Sequence, residues 1–234
     1  MRDLKSRVVL VESLTVDQIT SMICLMKESY EGITKYDFTN DLKNKQFCLL
    51  IEDKDCVCGF TTIETFQMHW KKSIIDVVFS GDTVIKKEYR NTNILWLSFG
   101  KWMLTYSKNK DLYWFLISKS YRTYRYLTQN FNHFFPSISA QDSNLKGIAT
   151  ALAKTKYPNQ YSEKENVIKS DARKQYLKIT EQPKIKFSKQ ESFYYNLNPG
   201  YVNGDELVCV VPYSQENLKE RVLNKFTRSV ASLL

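Results

Sequence analysis

Apolar residues follow two rhythms along this chain, alternation over short runs and a three-to-four-residue spacing over longer ones, and the switches between them mark the elements. Residues 8–12 form a short β-branched run. Thr15, followed by Asp17 and Gln18, then offers an N-cap to a segment with Ile19, Met22, Ile23 and Met26 at helical spacing. After Gly32, residues 36–45 read as a second helix entered at Asp37 or Thr39, and 46–52 as a strand with an apolar centre. The turn at Asp53, Lys54 and Asp55 reverses the chain into a strand over 57–66, where Gly59 marks a bulge or a close backbone approach. Ser73–Ile85 is the most persuasive strand, its β-formers interrupted by the polar trio Ser80, Gly81 and Asp82.

Helical spacing resumes over 93–106, where Leu95, Leu97, Phe99, Trp102, Met103 and Tyr106 cover a broad apolar side. Leu112–Ser118 is an apolar strand, and 121–135 a helix with Tyr124, Leu127, Phe131 and Phe135 on one stripe until Pro136 stops it. The order β-α-α-β-β-β-α-β-α predicts a mixed sheet flanked by helices, an α/β (α+β) class. Beyond it come a helical stretch around 145–154, a polar region over 157–189, a strand over 206–211 and an amphipathic helix over 214–233. Residues 1–136 therefore read as a core and 137–234 as a C-terminal extension packed on it, contributing a strand and a terminal helix.

With 43% hydrophobic and 25% charged residues in 234, the chain is globular in composition and long enough to bury a core without staples. Thirty-four Lys and Arg against twenty-five Asp and Glu leave a formal charge of +9. That basic balance fits a solvated lysine-rich face as well as a surface for nucleic acid, anionic lipid, an acidic protein or an anionic cofactor. Five cysteines, odd in number and mostly in apolar runs, read as reduced thiols of a cytoplasmic protein. Cys56 and Cys58 have only His69 and His133 to join them, too few ligands for structural zinc, and no metal is expected. No stretch approaches the ~20 apolar residues of a membrane span, and the run at 8–11 is too short for a signal peptide.

Two local patterns carry a family resemblance. Thr83, Val84 and Ile85 lead into Arg90-Asn91-Thr92-Asn93-Ile94-Leu95 at a helix start, where free backbone N–H groups and the positive dipole end meet an anion. The helix after the next strand contains Tyr126-Leu127-Thr128-Gln129-Asn130-Phe131. With the element order up to about residue 136, these features resemble the GNAT acyltransferase superfamily. There a strand, a Q/R-x-x-G-x-G/A loop and a helix hold the donor pyrophosphate, and a Y-x-x-x-G-F helix supplies a tyrosine that protonates the leaving thiolate. The stretches SGDT at 80–83, LYWFLISKSYRTYRYL at 112–127 and NPGYVNGDELVC at 198–209 look like a bacterial subgroup of it. Arg90 keeps the first loop position, whereas Asn93 and Leu95 stand where small residues are usual; Asn tolerates the left-handed region, but a Leu side chain crowds phosphates.

The resemblance implies a GNAT-like, largely antiparallel central sheet and transfer of an acyl group from acyl-CoA or acyl carrier protein to a small-molecule amine by direct attack. It implies Thr83, Val84, Ile85, Arg90, Asn91, Thr92 and Asn93 as the donor-binding segment. Tyr126 would be the general acid, because a phenol still holds its proton at neutral pH. The +9 charge suits an acidic carrier protein as donor, with long acyl chains among the many aromatics.

Strand alternation puts Ser80, Asp82 and Val84 on one face and Gly81 and Thr83 on the other. Asp82 can bind or deprotonate an amine; equally, SGDT reads as a bulge whose side chains satisfy the backbone. Glu64 is a second candidate carboxylate and Ser80 a substrate contact, while Ser118 ends the strand where a splayed sheet would admit the donor's pantetheine arm. The alternative is a catalytically inactive GNAT-shaped binding or regulatory module, with nucleic acid as partner for the basic aromatic stretch 119–125. No RNP, helix-turn-helix or zinc-finger pattern accompanies that stretch.

Overall fold

The computed structural model describes residues 3–108, 110–139, 142–170 and 187–228, and in them the alternating runs assemble into one eight-stranded sheet. Its strands are β1 (Leu4–Leu10), β2 (Phe47–Asp53), β3 (Cys56–Trp70), β4 (Ser73–Ile85), β5 (Leu112–Ser118), β6 (Tyr161–Ser162), β7 (Val167–Ile168) and β8 (Glu206–Pro212). In space the order is β1-β2-β3-β4-β5-β8-β7-β6. Every neighbouring pair is antiparallel except β4 and β5. That parallel pair needs a crossover, and helix α3 (Ile94–Tyr106) supplies it. The mixed, largely antiparallel sheet matches the sequence pattern, and residues beyond 136 complete it through β6, β7 and β8.

Helices cover both faces. On one lie α1 (Val16–Ser29), α2 (Lys35–Leu42) and α5 (Ser143–Lys156), over cores that take Cys48, Leu50 and Phe60, then Val77, Phe79 and Phe115, from the sheet. The other face carries α3, α4 (Tyr121–Asn130), α6 (Lys189–Leu197) and α7 (Glu220–Arg228), over Leu49, Ile51, Val78, Trp114 and Leu116. Adjacent residues of β2 and β5 thus enter opposite cores, as period-two alternation requires. The capping box foreseen for α1 is present: Gln18 N–H donates to Thr15 Oγ1 and Thr15 N–H to the Gln18 side chain. Lys54 and Asp55 take φ of 49° and 66°, the left-handed pair that a tight hairpin turn needs. Much of the tyrosine content is core. The hydroxyls of Tyr124, Tyr194 and Tyr213 donate to the carbonyls of Pro136, Ser118 and Gly100, so rings of about 1.5–3 kcal/mol burial value leave no polar atom stranded.

Several boundaries differ from the sequence pattern. Helix α4 stops at Asn130 rather than 135, because its last carbonyls are taken by the later chain: Lys219 donates to Thr128 and Asn130, and Arg221 to Gln129. The first strand begins at Leu4 and ends at Leu10, held by its ladder to β2, and α2 starts at Lys35 behind the Thr34 cap. Within 157–189 lie the two-residue strands β6 and β7, too short for any periodicity to signal, and the start of α6; residues 171–186 lie outside the described ones. The last helix starts at Glu220, and the part expected beyond 228 is likewise outside them. Among the described residues no helix is long and apolar enough to cross a membrane.

Candidate functional site

The site begins with one extra residue in β4. β3 pairs with β4 as Thr61↔Thr83 and Ile63↔Ser80, so Thr62 alone opposes both Gly81 and Asp82. This is a β-bulge, the alternative that SGDT left open. It shifts the alternation by one and corrects the expected grouping of Ser80, Asp82 and Val84. Ser80 lies on the α3 face, where the Trp114 indole N–H donates to its hydroxyl at 2.9 Å. Val84 packs on the opposite face under α1, and Asp82, two residues before it, shares that face. Thr83 turns to the α3 face and pairs with the Thr61 hydroxyl at 2.7 Å.

Next to the bulge the sheet opens. β4 and β5 are paired from Asp76↔Leu112 to Ser80↔Leu116 and no further. Beyond that rung β4 continues beside β3 alone and β5 beside β8 alone. Ladder groups of both strands therefore face a gap rather than each other. A cavity of about 890 Å³ runs through the gap, a volume in the range of small-ligand sites. Its α3 arm is lined by Leu95, Trp96, Phe99, Trp114, Leu116 and Tyr126; its other arm by Tyr30, Asp37, Asp41, Asp82, Tyr157 and Glu206. One arm is apolar and aromatic, the other carries the charge.

Tyr126 is partly buried, its ring 5.4 Å from that of Trp96, which in turn stacks on Trp114 at 6.1 Å. Across the gap, burial pushes the Asp82 carboxyl up to about 6, and Asp41 adds to the shift while Lys119 and Lys45 oppose it. A carboxylate tuned there is half-ionised near pH 6, mostly ionised at neutrality, and can exchange a proton with a ligand. Burial, reinforced by Asp82 and Glu206, raises the Tyr30 phenol above its ordinary range, and burial does the same for Tyr157.

The remaining sequence-derived residues are distributed unevenly. Ser80, Asp82, Thr83 and Tyr126 line the cavity together. Val84 is buried under α1, and the Ile85 carbonyl accepts the Arg90 Nε–H at 3.2 Å. Asn91 is exposed; Thr92 Oγ1 donates to the Tyr89 carbonyl and accepts the Ile94 N–H. Asn93 adopts φ 57°, the left-handed conformation its side chain tolerates, without capping α3. Leu95 stands in the cavity wall. Glu64 is not in the lining: its carboxylate is paired with Lys45 at 3.4 Å and with Lys156. Ser118 is fully buried, its hydroxyl donating to the Ser120 carbonyl and its carbonyl accepting from Tyr194.

Of the charged arm, sequence reasoning found Asp82 and missed Tyr30, Asp37, Asp41, Tyr157 and Glu206, which come from the end of α1, α2, the end of α5 and β8. Arg90 and the basic stretch 119–125, both singled out in the sequence, come together in one basic cluster. Burial lowers the Arg122 guanidinium below its ordinary value, and the nearby charges of Arg90 and Arg125 lower it further. Those three arginines lie within electrostatic reach of one another, in a setting that suits an anion.

No family model matches the chain, and no curated protein matches it. Among solved structures it is similar to a probable N-acyltransferase from Enterococcus faecalis, itself described as a conserved protein of unknown function, at 16% identity and a TM-score of 0.42, over 56% of this chain and 33% of that one. It is similar to a GCN5-related N-acetyltransferase from Kribbella flavida at 16% identity and a TM-score of 0.41, over 54% and 32%. A Trypanosoma brucei acetyltransferase gives 14% identity and a TM-score of 0.41, over 60% and 99%. The match spans about a third of the length of the first two.

Proposed function

We propose that this protein transfers an acyl group from a thioester donor to an amine by direct attack in a ternary complex. One observation carries the reading: β4 parts from β5 beyond Ser80 and Leu116, and a single cavity through the gap joins an apolar arm to a charged one. A thioester entering from the α3 side and an amine from the α2 side meet at the bulge. The amine nitrogen attacks the thioester carbon; a C–N bond forms and the C–S bond breaks. Asp82, directly or through water, takes the proton the nitrogen loses, and the Tyr126 hydroxyl gives one to the departing thiolate. Backbone N–H groups of β4 that point into the gap past its last rung with β5 stabilise the oxyanion between these events. Holding both reactants in one cavity supplies the rest, because proximity makes the attack effectively unimolecular.

The donor is acyl-CoA or an acyl carrier protein. Both are anionic, and Arg90, Arg122 and Arg125 suit either. Titration with acetyl-CoA, longer acyl-CoAs and acyl carrier protein separates them. The same arginines favour a second reading, a catalytically inactive module that binds nucleic acid phosphates. Salt-sensitive RNA or DNA binding, together with no affinity for any thioester donor, would establish that module in place of the enzyme.

A further inference from the structure

Behind the bulge lies a charged network that the proposed chemistry does not use. Lys45, in the turn between α2 and β2, is buried, its Nζ 2.9 Å from Asp41 Oδ1 and 3.4 Å from Glu64 Oε2. The Glu64 carboxylate also holds Lys156, at the end of α5. Asp41 lines the cavity; Lys45, Glu64 and Lys156 do not. Burial lowers the Lys156 ammonium below its ordinary value. Desolvating such ions offsets most of what their attraction contributes, so stability alone does not account for the network.

Lys45 reaches the bulge itself. A Cβ on Gly81 would lie 3.0 Å from Lys45 Cε and 2.6 Å from Thr62 Oγ1, so the lysine stem and the Thr62 side chain occupy the space beside the glycine. The ammonium lies over Phe79, two residues earlier in β4: Lys45 Nζ is 5.3 Å and Lys156 Nζ 4.5 Å from its ring centroid. Asp82 follows Gly81. Its carboxyl feels Asp41 of α2, Lys45, Lys119 beyond β5 and Glu206 of β8, with the phenols of Tyr30 and Tyr157 in reach at the ends of α1 and α5. Lys45 and Lys119 favour its ionised form, and Asp41 and Glu206 oppose it. Lys119 is 3.8 Å from Glu206 as Lys45 is 2.9 Å from Asp41, so each cation is steadied by one of the opposing carboxylates.

Resting on the acyl-transfer reading, we propose that Lys45 is a positioning residue for Asp82: clamped between Asp41 and Glu64, it holds Gly81 in the bulge and keeps a cation beside the base. Lys156 acts one step further back, by holding Glu64. None of the four touches a reactant through this role. Lys45→Met keeps a stem of similar length over Gly81 and removes the charge, which leaves Asp41 without its partner as well. Asp41→Asn removes a charge that opposes the ionised base and leaves Lys45 on Glu64. The two substitutions therefore act on Asp82 with opposite signs, which a merely structural network would not produce.

The test is NMR titration of the Asp82 carboxyl in the full chain without donor, its signal identified by its loss in Asp82→Asn, beside the pH profile of kcat/KM. The midpoint is expected to rise by at least about 0.5 pH unit in Lys45→Met and to fall by at least about 0.5 in Asp41→Asn. The acidic limb of kcat/KM should move with it in each variant. The Asp41 side chain is 49% exposed, so its variant carries the test even where the buried substitution disturbs folding. An unmoved midpoint in Asp41→Asn, or shifts of one sign in both variants, overturns the proposal. Since the titration needs no donor, shifts of the expected signs without thioester turnover support the clamp and remove only the acyl-transfer reading. Turnover with unmoved midpoints removes only the clamp.

Discussion

The indole N–H of Trp114 donates to the Ser80 hydroxyl across the last stretch over which β4 and β5 remain paired. Trp114 is 5% exposed, so its one polar atom depends on this partner. The bond ties the strands on the α3 face immediately before they part. Ser80→Ala is expected to cost about 1–3 kcal/mol, the penalty of a buried donor left unpaired. Urea unfolding in a double-mutant cycle with Trp114→Phe should show the two losses to be strongly non-additive. Simple additivity would mean the bond does not organise the opening.

Asp82 couples the site to pH. Its folded value of about 6 exceeds the ordinary 3.8, so the folded state holds the proton more tightly. Stability therefore falls as pH rises from about 4 to about 6, and the penalty is fully present above that window. Some two pH units correspond to about 3 kcal/mol, which contact with cavity solvent reduces to roughly 1–2. Asp82→Asn is expected to stabilise the protein by that amount at pH 7. In the proposed role of base, Asp82 must be ionised, so kcat/KM should rise through about pH 6 and lose this acidic limb in the variant. A limb that survives the substitution belongs to another group.

Tyr126→Phe keeps the ring against Trp96 and removes only the hydroxyl. Stability should change by less than about 0.5 kcal/mol while kcat falls about a hundredfold. Thioesters with a more acidic leaving thiol need less protonation and should recover most of the loss. Equal loss for alkyl and aryl thioesters would assign Tyr126 to packing.

Gly100 lies where α7 meets α3. A Cβ there would lie 2.1 Å from Phe226 Cζ, a clash of the kind that costs about 1–3 kcal/mol and outweighs the ~1 kcal/mol helix gain of alanine. Gly100→Ala should lower thermal stability, and Phe226→Leu in the same chain should restore part of it. Independent effects would mean that the two residues are not packed as described.

Much of the frame was legible because single elements declare themselves. Ser73–Ile85 and Leu112–Ser118 have their observed bounds in the apolar runs alone, and Thr15 with Gln18 announces α1. The hidden part is what distant residues decide together. The bulge at Gly81 and Asp82 exists only relative to Thr62, and it reverses which face Asp82 meets. Tyr30, Asp41, Tyr157 and Glu206 share a cavity without sharing a sequence interval, so no spacing could collect them. Likewise α4 ends at Asn130 because Lys219 and Arg221 arrive from ninety residues away, a signal absent from the helix itself.

The central claim is that the gap between β4 and β5 joins a thioester to an amine. Its most direct test is single-turnover thiol release from acetyl-CoA, longer acyl-CoAs and acyl carrier protein, with and without an amine panel, alongside mass measurement of the amine product. At least one donor should release its thiol in step with N-acylated amine and much faster than it hydrolyses without amine. Absence of thiol release from every donor, with no measurable donor binding, would contradict the account.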